Sequence, residues 1–235
     1  MLLTRSAAAV AVTLLAVALA AAAGGGDDAG KGQFRDTFSV DKANLVDTGS
    51  NPYFILQSGY RLVFEDGKDT LIITVLDETK AVDGVKTRIV EERETKNGKL
   101  VEVSRNYFAI DKATNDVYYF GEDVDMYDKD GKVTGHEGSW LAGVKGARFG
   151  LIMPGAPKAG DKYYQEIAPG TAMDRAEVIG LDETVKVPAG EFKNVLRTRE
   201  SSGLEKGSED KLYAPGVGQI KDAGFVLARI EKPKS

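Results

Sequence analysis

A run of 22 residues from Tyr119 to Trp140 (YFGEDVDMYDKDGKVTGHEGSW) concentrates the side chains most suited to chemistry. It carries Glu122, Asp123, Asp125, Asp128 and Asp130, then His136 and Trp140, the only histidine and the only tryptophan of the chain. Carboxylates grouped with one imidazole could bind a hard cation or a cationic ligand, or do acid–base work on a shifted pKa. Within the run, Asp128-x-Asp130-Gly131 followed by Glu137 matches much of an EF-hand calcium loop, which wants spaced oxygen ligands, a central glycine and a closing bidentate glutamate. The first ligand position, however, falls on Met126, whose side chain offers no oxygen. The flanks are strand-like where an EF-hand needs helices. A charged hairpin turn with Gly131 at positive φ explains the same residues. Asp128, Asp130 and Glu137 therefore stand as candidate Ca²⁺ ligands beside that simpler expectation.

On a strand, Asp123 and Asp125 face one way and Glu122 the other. A hairpin closing around Lys129 and Asp130 brings His136 and Glu137 back toward Glu122 and Asp123. The candidate ligand-binding set is thus Glu122, Asp123, His136, Glu137 and Trp140, with Arg105 from the preceding strand. The alternative is a solvated acidic edge that deters strand-to-strand aggregation. One histidine and no cysteine cannot build the usual zinc ligand set.

A second charged group lies in the hairpin around Asn97-Gly98. Counting outward from that turn pairs Arg93 with Glu102 and Glu91 with Ser104, and puts Arg105 on the opposite face with Val90 and Val103. Such a ladder forms either a wet sheet face or the polar part of a concave pocket. Familiar catalytic arrangements are missing: no GxSxG elbow, no HExxH, no P-loop, no GxGxxG after a strand and no cysteine nucleophile. Ser139, near His136, does not by itself make a triad. No catalytic residue is assigned. A hydrolase using His136 with Glu122 or Glu137 is the enzymatic alternative to a non-enzymatic protein.

The elements that must position these residues read as strands. Tyr60–Glu65 alternates, Thr70–Asp77 is β-branched, and Val85–Thr95 and Leu100–Ile110 flank Asn97-Gly98, the strongest short hairpin signal. Val117–Phe120 follows a polar turn. Between His136 and Asp161 the pattern lapses into glycines and prolines, which predicts a long connection. Strand signals resume at Tyr163–Ile167, Ala176–Leu181, Glu183–Val187, Phe192–Arg199, Lys211–Tyr213 and Phe225–Glu231. No stretch sustains a 3.6-residue apolar period, so little helix is expected. The result is an all-β antiparallel meander.

Residues 1–23 have the form of an export signal: Arg5, an apolar alanine-rich run from Ala7 to Ala23, and small residues before Gly24. That run is 17 residues, short of the ~20 a spanning helix needs. The expected location is periplasmic or extracellular, with no transmembrane segment after cleavage. Without cysteine the protein is not a lipoprotein and forms no disulfide. Loss of Arg5 leaves 30 basic and 36 acidic residues, a formal charge of −6, which argues against nucleic-acid binding. Residues 24–54 read as a flexible tether and lead-in, and 55–235 as a single β domain.

Two further stretches carry a resemblance. VPAGEFKNV (Val187–Val195) with YAPGVGQI (Tyr213–Ile220) resembles the closing segment of a broad set of bacterial envelope proteins of undetermined function, similar in fold to the LolA/LolB and related periplasmic groups. NYFAIDK, YYFGEDVD, HEGSW and LIMPG, between Asn106 and Pro154, resemble a narrower group of exported proteins. The likeness covers roughly residues 55 to 231 and implies an open or half-closed β-barrel. A half-open barrel would leave Leu62, Phe64, Ile73 and Val75 for a small hydrophobic molecule, such as a lipid, or for an envelope protein segment. Pro188, Gly190, Pro215, Gly216 and Gly218 themselves read as turn architecture.

Overall fold

The structure, a computed structural model, describes residues 33–233. The expected signal, the glycine-rich start of the tether and the last two residues lie outside the described residues. A short 3₁₀ turn, Lys42–Asn44, precedes β1 (Leu45–Val46), β2 (Gly49–Asn51) and β3 (Phe54–Leu56). The meander then runs through β4 (Arg61–Asp66), β5 (Asp69–Val82), β6 (Val85–Lys96), β7 (Lys99–Asp111) and β8 (Val117–Tyr127). Short pieces follow: β9 (Val133–Gly135), β10 (Trp140–Leu141), β11 (Arg148–Met153), β12 (Lys162–Tyr164) and β13 (Glu166–Ile167). The closing strands are β14 (Asp174–Val187), β15 (Gly190–Ser202), β16 (Glu209–Ala214), β17 (Gly218–Asp222) and β18 (Phe225–Glu231). No α-helix occurs among the described residues.

Thirteen of these strands form one antiparallel sheet, in the order β12-β14-β15-β16-β17-β18-β4-β5-β6-β7-β8-β11-β13. Because β12 and β13 are separated only by Gln165, the two ends of the sheet meet and the barrel is nearly closed, with one unsealed seam. At that seam β11 pairs with β13 through two residues, Arg148↔Ile167 and Phe149↔Glu166. Gly150 lies on the backbone of Tyr164 and Gln165, where a Cβ would collide with the Gln165 carbonyl. Across the outside of the seam, Arg35 forms a parallel bridge with Tyr163, and Asp36 lies 3.9 Å from Arg148.

Three features depart from the strand pattern of the sequence. The connection expected between His136 and Asp161 contains β10 and β11, which pair with β8. Their signal is hidden because each is short and glycine-flanked. Gly218–Asp222 is a strand as well as a bend. The β6–β7 register is also shifted by a β-bulge between Glu94 and Thr95, so that Arg93 pairs with Val103, Glu91 with Arg105 and Glu94 with Glu102. A one-residue slip reverses faces. Arg105 therefore shares a face with Glu91, Arg93 and Val103, and Val90 lies on the other.

The barrel has two unlike ends. The turns of β7–β8 and β16–β17 and the start of β15 gather at one, and the hairpin β2–β3 lies across it. Asn51, almost fully buried, donates from Nδ2 to the carbonyls of Asn115 and Pro154, both at 2.8 Å. Gly216 donates its N–H to the Pro52 carbonyl, and the Tyr53 hydroxyl reaches the Asn194 carbonyl. Phe54 meets Phe108 edge-on with centroids 5.0 Å apart. Leu56 of the hairpin and Leu62, Phe64, Val75 and Leu227 of the barrel wall belong to one buried core. Gly150→Ala should force the seam apart and cost about 1–3 kcal/mol by overpacking, read as a lower urea midpoint with unchanged slope.

Candidate functional site

Antiparallel partners share a sheet face, so register identifies the lining of the barrel. From Leu62 and Phe64 the inner face runs to Ile73 and Leu71, to Glu92 and Glu94, to Ser104 and Glu102, and to Val124 and Met126. One rung deeper, Val75 leads to Val90, Asn106 and Glu122. In the other direction it passes from Phe225 to Asp222, Lys211, Thr198 and Val178. The inner face is thus apolar on β4 and β5 and rich in ionisable groups on β6 and β7, with Phe64 and Leu71 on the same rung as Glu94 and Glu102. Glu92, Glu94, Glu102, Glu122, Lys211 and Asp222 are half-buried.

On one wall the charges are balanced. Lys211 Nζ lies 3.2 Å from Glu200 and 3.4 Å from Asp222. Glu200 Oε1 also accepts from Gln165, Thr198 and Tyr213, each at 3.2 Å. Burial works against the Lys211 ammonium, but Asp222 and Glu200 outweigh it and hold its pKa well above the usual lysine range.

The facing wall lacks such a cation. Burial pushes the Glu122 carboxyl up to about 8, with the Glu92 charge adding to it and the Tyr119 hydroxyl opposing. Burial pushes Glu92 up to about 7; Lys211 across the barrel opposes this, while Asp222, Glu102 and Glu94 add to it. Glu102 is raised by burial and by Glu94. Only Lys96, 3.2 Å from Glu94, stands at the rim. Glu166, buried at the seam, is raised well above the carboxylate range by burial and by Asp174, although one of its oxygens accepts the Asp174 N–H at 3.0 Å.

The structure divides the set of residues expected from the sequence. Glu122 and Trp140 are direct cross-strand partners on the inner face. Trp140 is buried, edge-on to Tyr119 with centroids 5.2 Å apart, and its indole N–H has no hydrogen-bond partner. Asp123, Arg105 and His136 belong to the outer face. Asp123 takes Lys80 at 2.8 Å and a short hydrogen bond from the Tyr107 hydroxyl. Burial works to raise its pKa, but those two donors prevail and hold it below the usual range. Arg105 bridges Glu91 at 3.4 Å and Asp125 at 3.2 Å. The His136 ring lies 3.1 Å from Asp125, with 66% of its side chain exposed. Ser139 Oγ is occupied by the Val124 N–H at 2.8 Å, so geometry assembles no nucleophile beside His136.

The acidic loop is a tight turn. Asp128 Oδ1 accepts the N–H groups of Asp130 at 2.8 Å and Lys132 at 3.0 Å, and Gly131 has φ +77°. Glu137 folds back against Gly135 rather than toward Asp128. Among the described residues no group of three or more His, Asp or Glu converges as a metal site. Reasoning from sequence missed Glu92, Glu200, Lys211 and Asp222 as parts of one site. Alternation gave their faces locally, but only closure of the barrel brings these distant strands together.

A crevice of about 280 Å³ lies between the loop carrying Ser139, Trp140 and Val144 and the β13–β14 turn carrying Ala168, Pro169 and Thr171. Comparison with protein families, with curated proteins and with solved structures found no match.

Two predictions follow from the charges. Lys211→Met leaves Glu200 and Asp222 uncompensated and should cost about 3–5 kcal/mol, measured by urea unfolding at pH 7. For Glu92 and Glu122 the folded pKa exceeds the ordinary 4.5. Below that value both folded and unfolded carboxyls are protonated and nothing is lost. As pH rises, the unfolded chain releases its protons first, so stability should fall from about pH 5 to pH 8. The melting temperature followed across this window should decline, and Glu122→Gln should flatten the decline.

Proposed function

We propose that this is an exported, non-enzymatic binding protein whose ligand lodges at the open, ionisable end of the barrel. The observation that carries the reading is a contrast between the ends: the chain's own hairpin lies across one, while the inward-facing carboxyls of β6 and β7 nearer the other remain half-buried. A concave interior with few convergent polar groups is the usual form of a ligand site. The resemblance to LolA/LolB-like envelope proteins and the form of residues 1–23 support a periplasmic or extracellular location. A lipid or other hydrophobic ligand on Leu62, Phe64 and Val75 would have to open the buried core that they form with Tyr53 and Leu56 of the β2–β3 hairpin. The open end therefore offers the better seat. The calcium alternative is weakened by the commitment of the Asp128 carboxylate to its own turn, and the hydrolase alternative by the exposure of His136 on the outer face.

Native mass spectrometry of the mature protein from its host should detect a bound mass. Hydrogen exchange of loaded against stripped protein should then place the protection on β6, β7 and the Trp140 loop. A clean apo mass, or protection confined to the Gly49–Leu56 hairpin, would overturn the reading.

A further inference from the structure

The character of the open end specifies a class of ligand. On one inner wall, carboxyls succeed one another with depth: Glu94 and Glu102 face each other at the mouth, Glu92 follows one rung in, and Glu122 lies deeper still. Glu94 and Glu92, two residues apart on one strand face, are separated by about 7 Å along β6. Apolar side chains alternate with them on the same face: Leu71 and Ile73 on β5, Val124 and Met126 on β8. Convergence on a single metal ion is absent among the described residues, because the carboxyls are strung out in a line. A line of anions interleaved with apolar groups suits a line of cations joined by methylenes.

The protein supplies its own precedent. Lys211 places a methylene stem and an ammonium in this interior, between Glu200 and Asp222. A long aliphatic stem covers apolar surface while its charged head keeps a carboxylate partner. The wall opposite has the carboxyls without the ammonium. At its inner end stands Trp140, buried opposite Glu122, with an indole N–H that no protein atom satisfies and a ring set against Tyr119. Aromatic faces attract cations once water is excluded.

We propose that the open end binds a linear aliphatic polyamine, whose ammonium groups pair in succession with Glu94 and Glu102, then Glu92, then Glu122 beside Trp140. This rests on the reading of the open end as the ligand site. Glu122 and Glu92 give up protons to the solvent as the ammonium groups arrive, so binding releases protons near neutral pH.

Spermidine added to the full mature chain at pH 7.5 tests the assignment, because Trp140 is the only tryptophan and reports directly on the inner end. The expected result is a saturable, one-to-one change in Trp140 fluorescence, with calorimetry in buffers of different ionisation heat showing proton release. Glu92→Gln and Glu122→Gln should each weaken binding about tenfold, the scale of losing one partner of an enclosed charge pair. Glu65→Gln, on the outer face of β4, should leave it unchanged; circular dichroism confirms that each variant is folded. The assignment is overturned if spermidine gives no saturable response, if the double glutamine variant responds like the parent, or if Mg²⁺ at equal ionic strength gives the same change. Should spermidine fail while hydrogen exchange still places a bound molecule on β6, β7 and the Trp140 loop, the amine class falls and the site stands. Should both fail, both fall together.

Discussion

The ion pair between Glu200 and Lys211 is the constraint around which the barrel interior is arranged. Glu200 lies on β15 and receives Lys211 and Tyr213 from β16, Thr198 from its own strand and Gln165 from the segment joining β12 to β13. Through Lys211 the same network reaches Asp222 on β17. One carboxylate thus links the wall of long strands to the short segment that closes the sheet upon itself. A buried ion pair contributes little net stability by comparison with well-packed apolar residues, but removing one partner leaves a costly charge. Its value here is positional. The Gln165 side chain can satisfy Glu200 only when the segment that carries it lies against β14 and β11, which is the closed arrangement of the seam.

The seam depends on that anchoring because little else holds it. Two residue pairs join β11 to β13, whereas β5 and β6 or β14 and β15 are joined along most of their length. Gly150 allows the backbones to approach where any side chain would intrude. The N-terminal segment adds Arg35 along β12, with its guanidinium 4.7 Å from the centre of the Phe38 ring, and Phe38 in turn meets Tyr118 edge-on. Closure is therefore a sum of small contacts organised by one buried polar hub. The opposite end follows a different logic: the β2–β3 hairpin fills it with Tyr53, Phe54 and Leu56, and burial of apolar surface replaces hydrogen-bond geometry as the main stabilising effect.

Much of this architecture was legible in the sequence. Asn97-Gly98 marks a real hairpin, and most strands lie where alternation places them. What failed was register, and it failed for an identifiable reason. A bulge between Glu94 and Thr95 adds one residue to β7, which moves Arg105 to the face of Glu91 and Val103. Bulges leave no compositional mark in a stretch of alternating charged and apolar residues. The alternation rule itself held on β8, where Glu122 turns inward and Asp123 and Asp125 outward. That single fact divides the acidic run, giving Glu122 and Trp140 to the interior and Asp123 and His136 to an ionic network on the outer surface. Rarity of type drew attention equally to His136 and Trp140, yet only one of them lines the barrel. Lys211 and Asp222 sat within or beside a stretch that reads as turn architecture, because nothing local says which other strands they will face.

The distribution of charge inside the barrel argues for function more strongly than any motif in the chain. On β18, β4 and β5 the inner face is built from Leu227, Leu62, Phe64, Leu71 and Val75, so the fold accommodates an apolar lining without difficulty. Toward the open end Glu92, Glu102 and Glu122 occupy equivalent inward positions with carboxyls that burial drives toward the neutral form. Apolar residues of similar volume would remove that cost. The surrounding polar groups are meanwhile well satisfied: Asn106 holds Ser104, the Val90 carbonyl and the Tyr119 hydroxyl, and Glu200 is filled from four sides. A line of carboxyls left short of cations beside polar groups satisfied this fully is a local inconsistency. Such departures from local consistency concentrate where a protein meets something other than itself.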